Sequence, residues 1–221
     1  MRVFLIHGMG RTPAAMWVLA GRLKAAGYHP SLFGYFVTVT DLDDIRQRFE
    51  RHVQQVLDKD RQALNGEAED VPWAVIGHSL GGIVTRMASP ALPGGWRAFV
   101  MLAPPNRPPV MAQALRDNPV FQLFTQDAGR KLVDPAFYQA LPKPEVPTLV
   151  VAGTRGPRDP RLPFRGEVND SVVSLGETRL EGSRTLEVPG VHTFLMNRWD
   201  VCSAIQDFFS EQGFAVSRGD S

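Results

Sequence analysis

One cysteine, Cys202, stands alone among 221 residues, so neither a disulfide framework nor a cysteine-based metal site can be built from this chain. Net charge is almost missing as well. Lys and Arg number 24 against 23 Asp and Glu, a balance of +1, which provides no electrostatic case for nucleic acid or an anionic membrane as partner. No apolar stretch approaches the ~20 residues needed to span a bilayer, and the run Val3-Phe4-Leu5-Ile6 is too short for the apolar region of a signal peptide. Stable membrane insertion is therefore not expected, and a cytoplasmic location is. Phosphate-loop, dinucleotide-binding and metal-cluster patterns are lacking too, since the glycine run at 77–82 has neither the lysine nor the acidic partners those motifs need. No cofactor and no metal are expected. With no internal repeat and no linker, residues 1–221 read as a single domain.

What remains is an ordinary globular composition, 43% hydrophobic and 21% charged, in which strand and helix patterns alternate. Residues 2–6 read as a buried strand, followed by the glycine-rich turn His7-Gly8-Met9-Gly10. Thr12 as N-cap and Pro13 as first helical residue open a helix striped with Met16, Leu19, Ala20 and Leu23 and closed by Gly27. His29 to Phe36 is a second strand, interrupted by Gly34. Asp41 or Asp43 begins a long amphipathic helix carrying Ile45, Phe49, Val53, Val56 and Leu57, with a charged solvent face. Asn65 to Asp70 reads as a polar loop, and Trp73 to Ile76 as the next strand.

Further strands are expected at Arg97–Leu102, Thr148–Ala152 and Arg184–Val188, a last helix at Phe194–Phe209, and a frayed tail at Ser217–Ser221. Residues 107–142 have a different texture, proline-bearing and weakly helical, with Met111, Leu115, Val120, Phe121, Leu123, Phe124, Leu132, Phe137 and Tyr138 as the apolar set. The strands are apolar throughout rather than alternating, which implies a parallel sheet of about six strands with helices on both faces.

The chemistry gathers at Gly77-His78-Ser79-Leu80-Gly81, between the Trp73–Ile76 strand and a helical pattern through Ile83, Val84 and Met87. The pentapeptide alone is weak evidence in a chain with 20 glycines. Its placement is what carries weight: a serine on a sharp strand-to-helix turn is lifted clear of the sheet, and only glycines beside it let strand and helix approach that closely. A serine hydroxyl also needs a base, and the base an orienting acid. Of the five histidines, His192 alone lies in a loop after the last strand, at the same sheet edge as Ser79. For the acid, Asp170 has the better context, in a polar turn whose Val172 and Val173 can anchor it. Asp159, set between arginines, and Glu167 are the remaining candidates.

Together these segments resemble a small α/β-hydrolase of the lipase/esterase type, close to the minimal bacterial lipases: His7-Gly8-Met9-Gly10, Gly77-His78-Ser79-Leu80-Gly81 with Gly82, and Asp170-Ser171-Val172-Val173 followed by His192. One departure is Ser171, where many lipases carry glycine. The resemblance implies a three-layer fold and a serine hydrolase cleaving carboxylic esters, with Ser79, Asp170 and His192 catalytic. It also implies an oxyanion hole made by the backbone N–H groups of Met9 and Leu80, and a small-molecule ester or lipid-like substrate. Thioesterase, amidase and acyltransferase activities use the same triad, and a catalytically silent binding protein is the reading from another class. His7 is expected to brace its loop. Residues 107–142 are expected to form a small cap or a pocket-lining insertion.

Overall fold

The computed structural model describes residues 1–64 and 71–214; the expected Asn65–Asp70 loop and Ser217–Ser221 tail lie outside them. The chain begins with β1 (Arg2–Ile6), then a 3-10 turn over Pro13–Met16 leading into α1 (Trp17–Ala25). Next come β2 (His29–Phe33), α2 (Leu42–Ala63), β3 (Trp73–His78), α3 (Leu80–Ala88) and β4 (Trp96–Leu102). Three helices follow, α4 (Val110–Leu115), α5 (Pro119–Leu132) and α6 (Pro135–Ala140). The chain then runs through β5 (Thr148–Gly153), α7 (Leu175–Thr178), β6 (Arg184–Val188) and α8 (Trp199–Glu211). The six strands form one sheet in the order β2-β1-β3-β4-β5-β6, and every pair is parallel.

The central strands are apolar along the stretches where both faces are covered. Val3, Leu5, Ala74, Ile76, Val100 and Val151 pack against Leu19 and Leu23 of α1 and Ile205 and Phe209 of α8. Their neighbours Phe4, Ile6, Val75, Phe99, Met101 and Val150 pack against Phe49 and Val53 of α2 and Ile83 and Val84 of α3. Side chains alternate across a strand, so one apolar run serves two cores. This is the three-layer arrangement that the strand composition predicts.

Three expectations need correction. β2 stops at Phe33, because the chain turns at Gly34 to bury Tyr35 and Val37 in the second core. Thr12 is extended but its side chain caps nothing; the backbone bond from Ala15 N to Thr12 O (3.0 Å) closes the turn instead. The last helix is two pieces, a 3-10 segment over His192–Asn197 and then α8. Arg198 separates them in an extended conformation, its guanidinium held by the Pro189 carbonyl at 2.9 Å and by Asp200. Asp41 is the N-cap of α2, accepting from the Asp44 N–H at 2.8 Å.

The 107–142 region is rooted at both ends by one buried side chain. Arg86 of α3 donates to the carbonyls of Pro142 (3.0 Å) and Leu141 (3.1 Å) and to Asn106 Oδ1 (3.0 Å). Asn106 in turn donates to the Thr178 carbonyl at 2.8 Å. Burial pushes the Arg86 guanidinium down to about 10, so it stays charged at neutral pH. Within the segment, Ala128 and Leu132 are buried, whereas Val120, Leu123 and Phe124 are exposed.

The crossing of β3 and α3 over β1 leaves no room for side chains. A Cβ on Gly81 would sit 2.5 Å from the Ile6 carbonyl oxygen, and one on Gly77 would sit 2.6 Å from the Gly82 nitrogen. Both obstacles are backbone, so Gly81→Ala is expected to destabilise the fold by at least the ~1–3 kcal/mol typical of overpacking, read as a lower urea midpoint at unchanged m-value.

Candidate active site

Parallel strands all end at one edge of the sheet, and ligand sites of open α/β sheets form there. The loops after β1, β3, β5 and β6 bring the candidate residues to that edge. Ser79 follows β3 with φ 52 and ψ −121, a left-handed conformation that a non-glycine residue keeps only where its surroundings impose it. The imposing contacts are visible. Its N–H donates to the Leu102 carbonyl at 2.8 Å and its carbonyl accepts from the Gly82 N–H at 3.0 Å. The half-buried Ser79 thus sits at the N-terminus of α3, where the helix dipole favours negative charge and the first-turn N–H of Leu80 has no intrahelical acceptor.

The loop after β1 runs alongside. A Cβ on Gly8 would lie 2.9 Å from Ser79 Cβ and 2.9 Å from His78 Nδ1. The N–H of the next residue, Met9, has no acceptor among the described residues. His7 braces this loop. Its Nε2 accepts from the Tyr35 N–H at 3.3 Å, so Nδ1 carries the proton and donates to the Gly8 carbonyl at 2.8 Å. Tyr35 stacks on the ring with centroids 4.4 Å apart and donates its hydroxyl to the His7 carbonyl at 2.8 Å. Burial lowers the His7 pKa, keeping this imidazole neutral in its structural role.

The structure brings Asp170 and His192 together. His192 Nδ1 lies 2.7 Å from Asp170 Oδ2, and the His192 N–H donates to the Asp170 carbonyl at 2.9 Å. Asp170 is fully buried, and its Oδ1 accepts from the N–H groups of Val172 (2.9 Å) and Val173 (2.8 Å). These bonds compensate a carboxylate taken out of water. The other two acids are occupied elsewhere. Asp159 forms a surface pair with Arg161, and the exposed Glu167 accepts from the Gly176 N–H at 3.0 Å. Val173 anchors the acid's turn in the core, whereas Val172 stays exposed.

Three residues that hold the site gave no distinctive signal in the sequence. Asn169 is buried; it ties the acid loop together by donating to the Pro157 (2.8 Å) and Glu167 (2.9 Å) carbonyls and accepting from the Ser171 N–H at 2.9 Å. Tyr35 carries the brace on His7. His78 lies beneath His192, its Nε2 3.1 Å from the His192 carbonyl oxygen. Among the described residues, no group of three or more His, Cys, Asp and Glu is placed to hold a metal ion, and no helix is long and apolar enough to cross a membrane.

A family model described as "Alpha/beta hydrolase family" matches residues 3–212. The chain belongs to the alpha/beta hydrolase family. Among solved structures, this alpha/beta hydrolase is similar to the mature lipase BlEst2 of Bacillus licheniformis: TM-score 0.69, 14% identity, covering 95% of this chain and 90% of that one. It is also similar to the phospholipase PlaB of Legionella pneumophila, with TM-score 0.68 and 17% identity over 94% of this chain but only 57% of that one. A soluble variant of monoglyceride lipase from Saccharomyces cerevisiae gives TM-score 0.59 and 14% identity, covering 96% and 85%. At such identities the likeness is one of fold. No curated protein sequence matches the chain.

Ser171, the departure from the lipase pattern, has φ 89, in the region that favours glycine. A non-glycine residue held there costs about 1–3 kcal/mol, more than the roughly 0.5–1 kcal/mol of extra chain entropy that glycine brings. Ser171→Gly in this alpha/beta hydrolase is therefore expected to raise the thermal midpoint slightly; a lower midpoint would show that the serine side chain contributes a contact worth more than the strain.

Proposed function

We propose that this alpha/beta hydrolase cleaves carboxylic esters through an acyl-enzyme formed on Ser79. The observation that carries this reading is the buried His192–Asp170 bond at 2.7 Å, held one residue away from a serine on a strained, helix-capping turn. With Nδ1–H given to the carboxylate, neutral His192 keeps Nε2 as the proton acceptor. Ser79 Oγ attacks the ester carbonyl as His192 takes its proton, and Asp170 stabilises the imidazolium that results. The backbone N–H groups of Met9 and Leu80 receive the oxyanion. His192 then protonates the leaving alcohol. A water, deprotonated by the same Nε2, attacks the acyl carbon, and the imidazolium returns that proton to Ser79 Oγ as the acid departs.

The substrate class is a small-molecule ester with a lipid-like acyl part. Two features support it: the lipase and phospholipase names of the structural neighbours, and the apolar side chains of Val120, Leu123 and Phe124 left uncovered on α5. In this reading residues 107–142 are a small cap on a single domain, and they line the acyl pocket.

The test is turnover of p-nitrophenyl esters of increasing chain length beside matched thioesters and anilides. Ester cleavage is expected to dominate; a thioester or anilide preference would reassign the substrate with the triad intact. Ser79→Ala is expected to abolish turnover and fluorophosphonate labelling while the protein stays folded, and His192→Ala to lose on the order of 10³-fold or more. Asp170→Asn preserves shape but favours the wrong tautomer, for an expected loss on the order of 10³- to 10⁴-fold in kcat. Asp159→Asn removes an exposed ion pair and should change kcat by less than about tenfold. The reverse ranking of the two aspartates would move the acid to Asp159.

A further inference from the structure

His78 precedes the nucleophile in the chain, contacts the base, and has no part in the proton transfers above. It is buried, its Nε2 lies 3.1 Å from the His192 carbonyl oxygen, and its ring centroid is 4.9 Å from that of His192 at an interplanar angle of 52°. A carbonyl can only accept, so Nε2 carries the proton. Nδ1 is then the bare nitrogen, and it is buried with no partner among the described residues. It abuts Gly8, where a Cβ would approach it to 2.9 Å. A ring with one nitrogen committed and the other sealed has no route for passing a proton. Burial, helped by the neighbouring His192, drives the His78 pKa well below the ordinary 6.5. The ring therefore stays uncharged when an imidazolium forms beside it, and it does not oppose that charge.

Resting on the ester-hydrolase reading, we propose that His78 is a positioning residue for the base: its Nε2–H, donated to the His192 carbonyl, ties the backbone of the base to the residue preceding the nucleophile. His192 sits at the start of a 3-10 segment between β6 and α8, with no strand or α-helix of its own to fix it. Its N–H and Nδ1 are held by Asp170, which belongs to another loop. Neither of those bonds sets the distance from the ring to the elbow. The His78 bond does, because residues 78 and 79 share one peptide unit. Without it, the Asp170–His192 pair can shift as a unit relative to Ser79.

The experiment compares His78→Phe, which keeps an aromatic ring but has no donor, with His78→Gln, whose amide nitrogen lies as many bonds from Cα as the lost Nε2. In His78→Phe, kcat and the rate of fluorophosphonate labelling are expected to fall about tenfold to a hundredfold, the scale of a misplaced catalytic group. KM is expected to stay unchanged, and labelling to run on to one group per chain, since a fully folded population still carries Ser79. His78→Gln is expected to restore most of the rate. A wild-type labelling rate in His78→Phe overturns the proposal, as does a His78→Gln enzyme as slow as His78→Phe, because ring shape and not the donor would then matter. If His78→Phe fails to fold, His78→Met takes its place against His78→Gln, being unbranched and donor-free, and the same two results decide. A wild-type protein that neither hydrolyses esters nor labels refutes the hydrolase reading itself and takes the positioning role with it, an outcome distinct from either variant result.

Discussion

Everything at the candidate site depends on how closely the chain passes itself where β3 turns into α3. The first turn of α3 lies against the end of β1, near enough that a Cβ on Gly81 would collide with the carbonyls of Ile6 and His7. Within that crossing Ser79 is held at φ 52 by its backbone bonds to Leu102 and Gly82. The strain persists because the apolar interior on both faces of the sheet holds β1, β3 and α3 in place, and burial on that scale outweighs the few kcal/mol involved. The same packing points the helix N-terminus at the space beside Ser79. Local strain and electrostatic preorganisation thus meet at one crossing.

A second layer of constraint acts through buried polar groups held by specific neighbours. Asp170 is enclosed by two backbone N–H donors and an imidazole, and its loop is closed by Asn169. His7 is held as a neutral ring between Tyr35 and Gly8. Such groups are costly to bury and more costly to strand, so each network tolerates one arrangement and stiffens the loop that carries it. Loops at a sheet edge lack ladder bonds of their own. Here side-chain bonds do that work: they link the loop after β1 to the one after β2, and the loops after β3, β5 and β6 to one another.

The 107–142 segment is attached differently. Arg86 and Asn106 clasp its two ends, and Glu177 accepts from the Val110 N–H at 2.7 Å, so its roots share contacts with α3 and with the stretch following the acid. Burial raises the Glu177 pKa, as expected for a carboxyl enclosed under this segment. Between its roots the segment divides at Gln126, where the backbone leaves the helix with φ 46 and ψ −126. Within α5 the exposed Val120, Leu123 and Phe124 lie before that point, and the buried Ala128 and Leu132 after it.

The sequence by itself determined the fold class, the sheet's parallel character and the family. Apolar runs such as Val3–Ile6 and Trp73–Ile76 report burial on both faces, a local property that composition records directly. The glycines around Ser79 report a steric requirement that no other residue meets. The order of elements places the loops that follow β3, β5 and β6 at one sheet edge, so candidates for a common site could be named before any contact was known. Boundaries were less legible where the tertiary fold overrode local pattern, as at Gly34, where the core draws Tyr35 and Val37 away from the strand, and at Arg198, where side-chain bonds break an apparent helix. Only the tertiary structure decided which of Asp159, Glu167 and Asp170 meets His192, because the three share a loop and differ in the bonds they reach across the fold. It alone revealed the clasp by Arg86 and the bond from His78 to the His192 carbonyl. Partners 55 and 114 residues apart are matched by geometry, and geometry of that range leaves no periodicity or spacing for a single sequence to display.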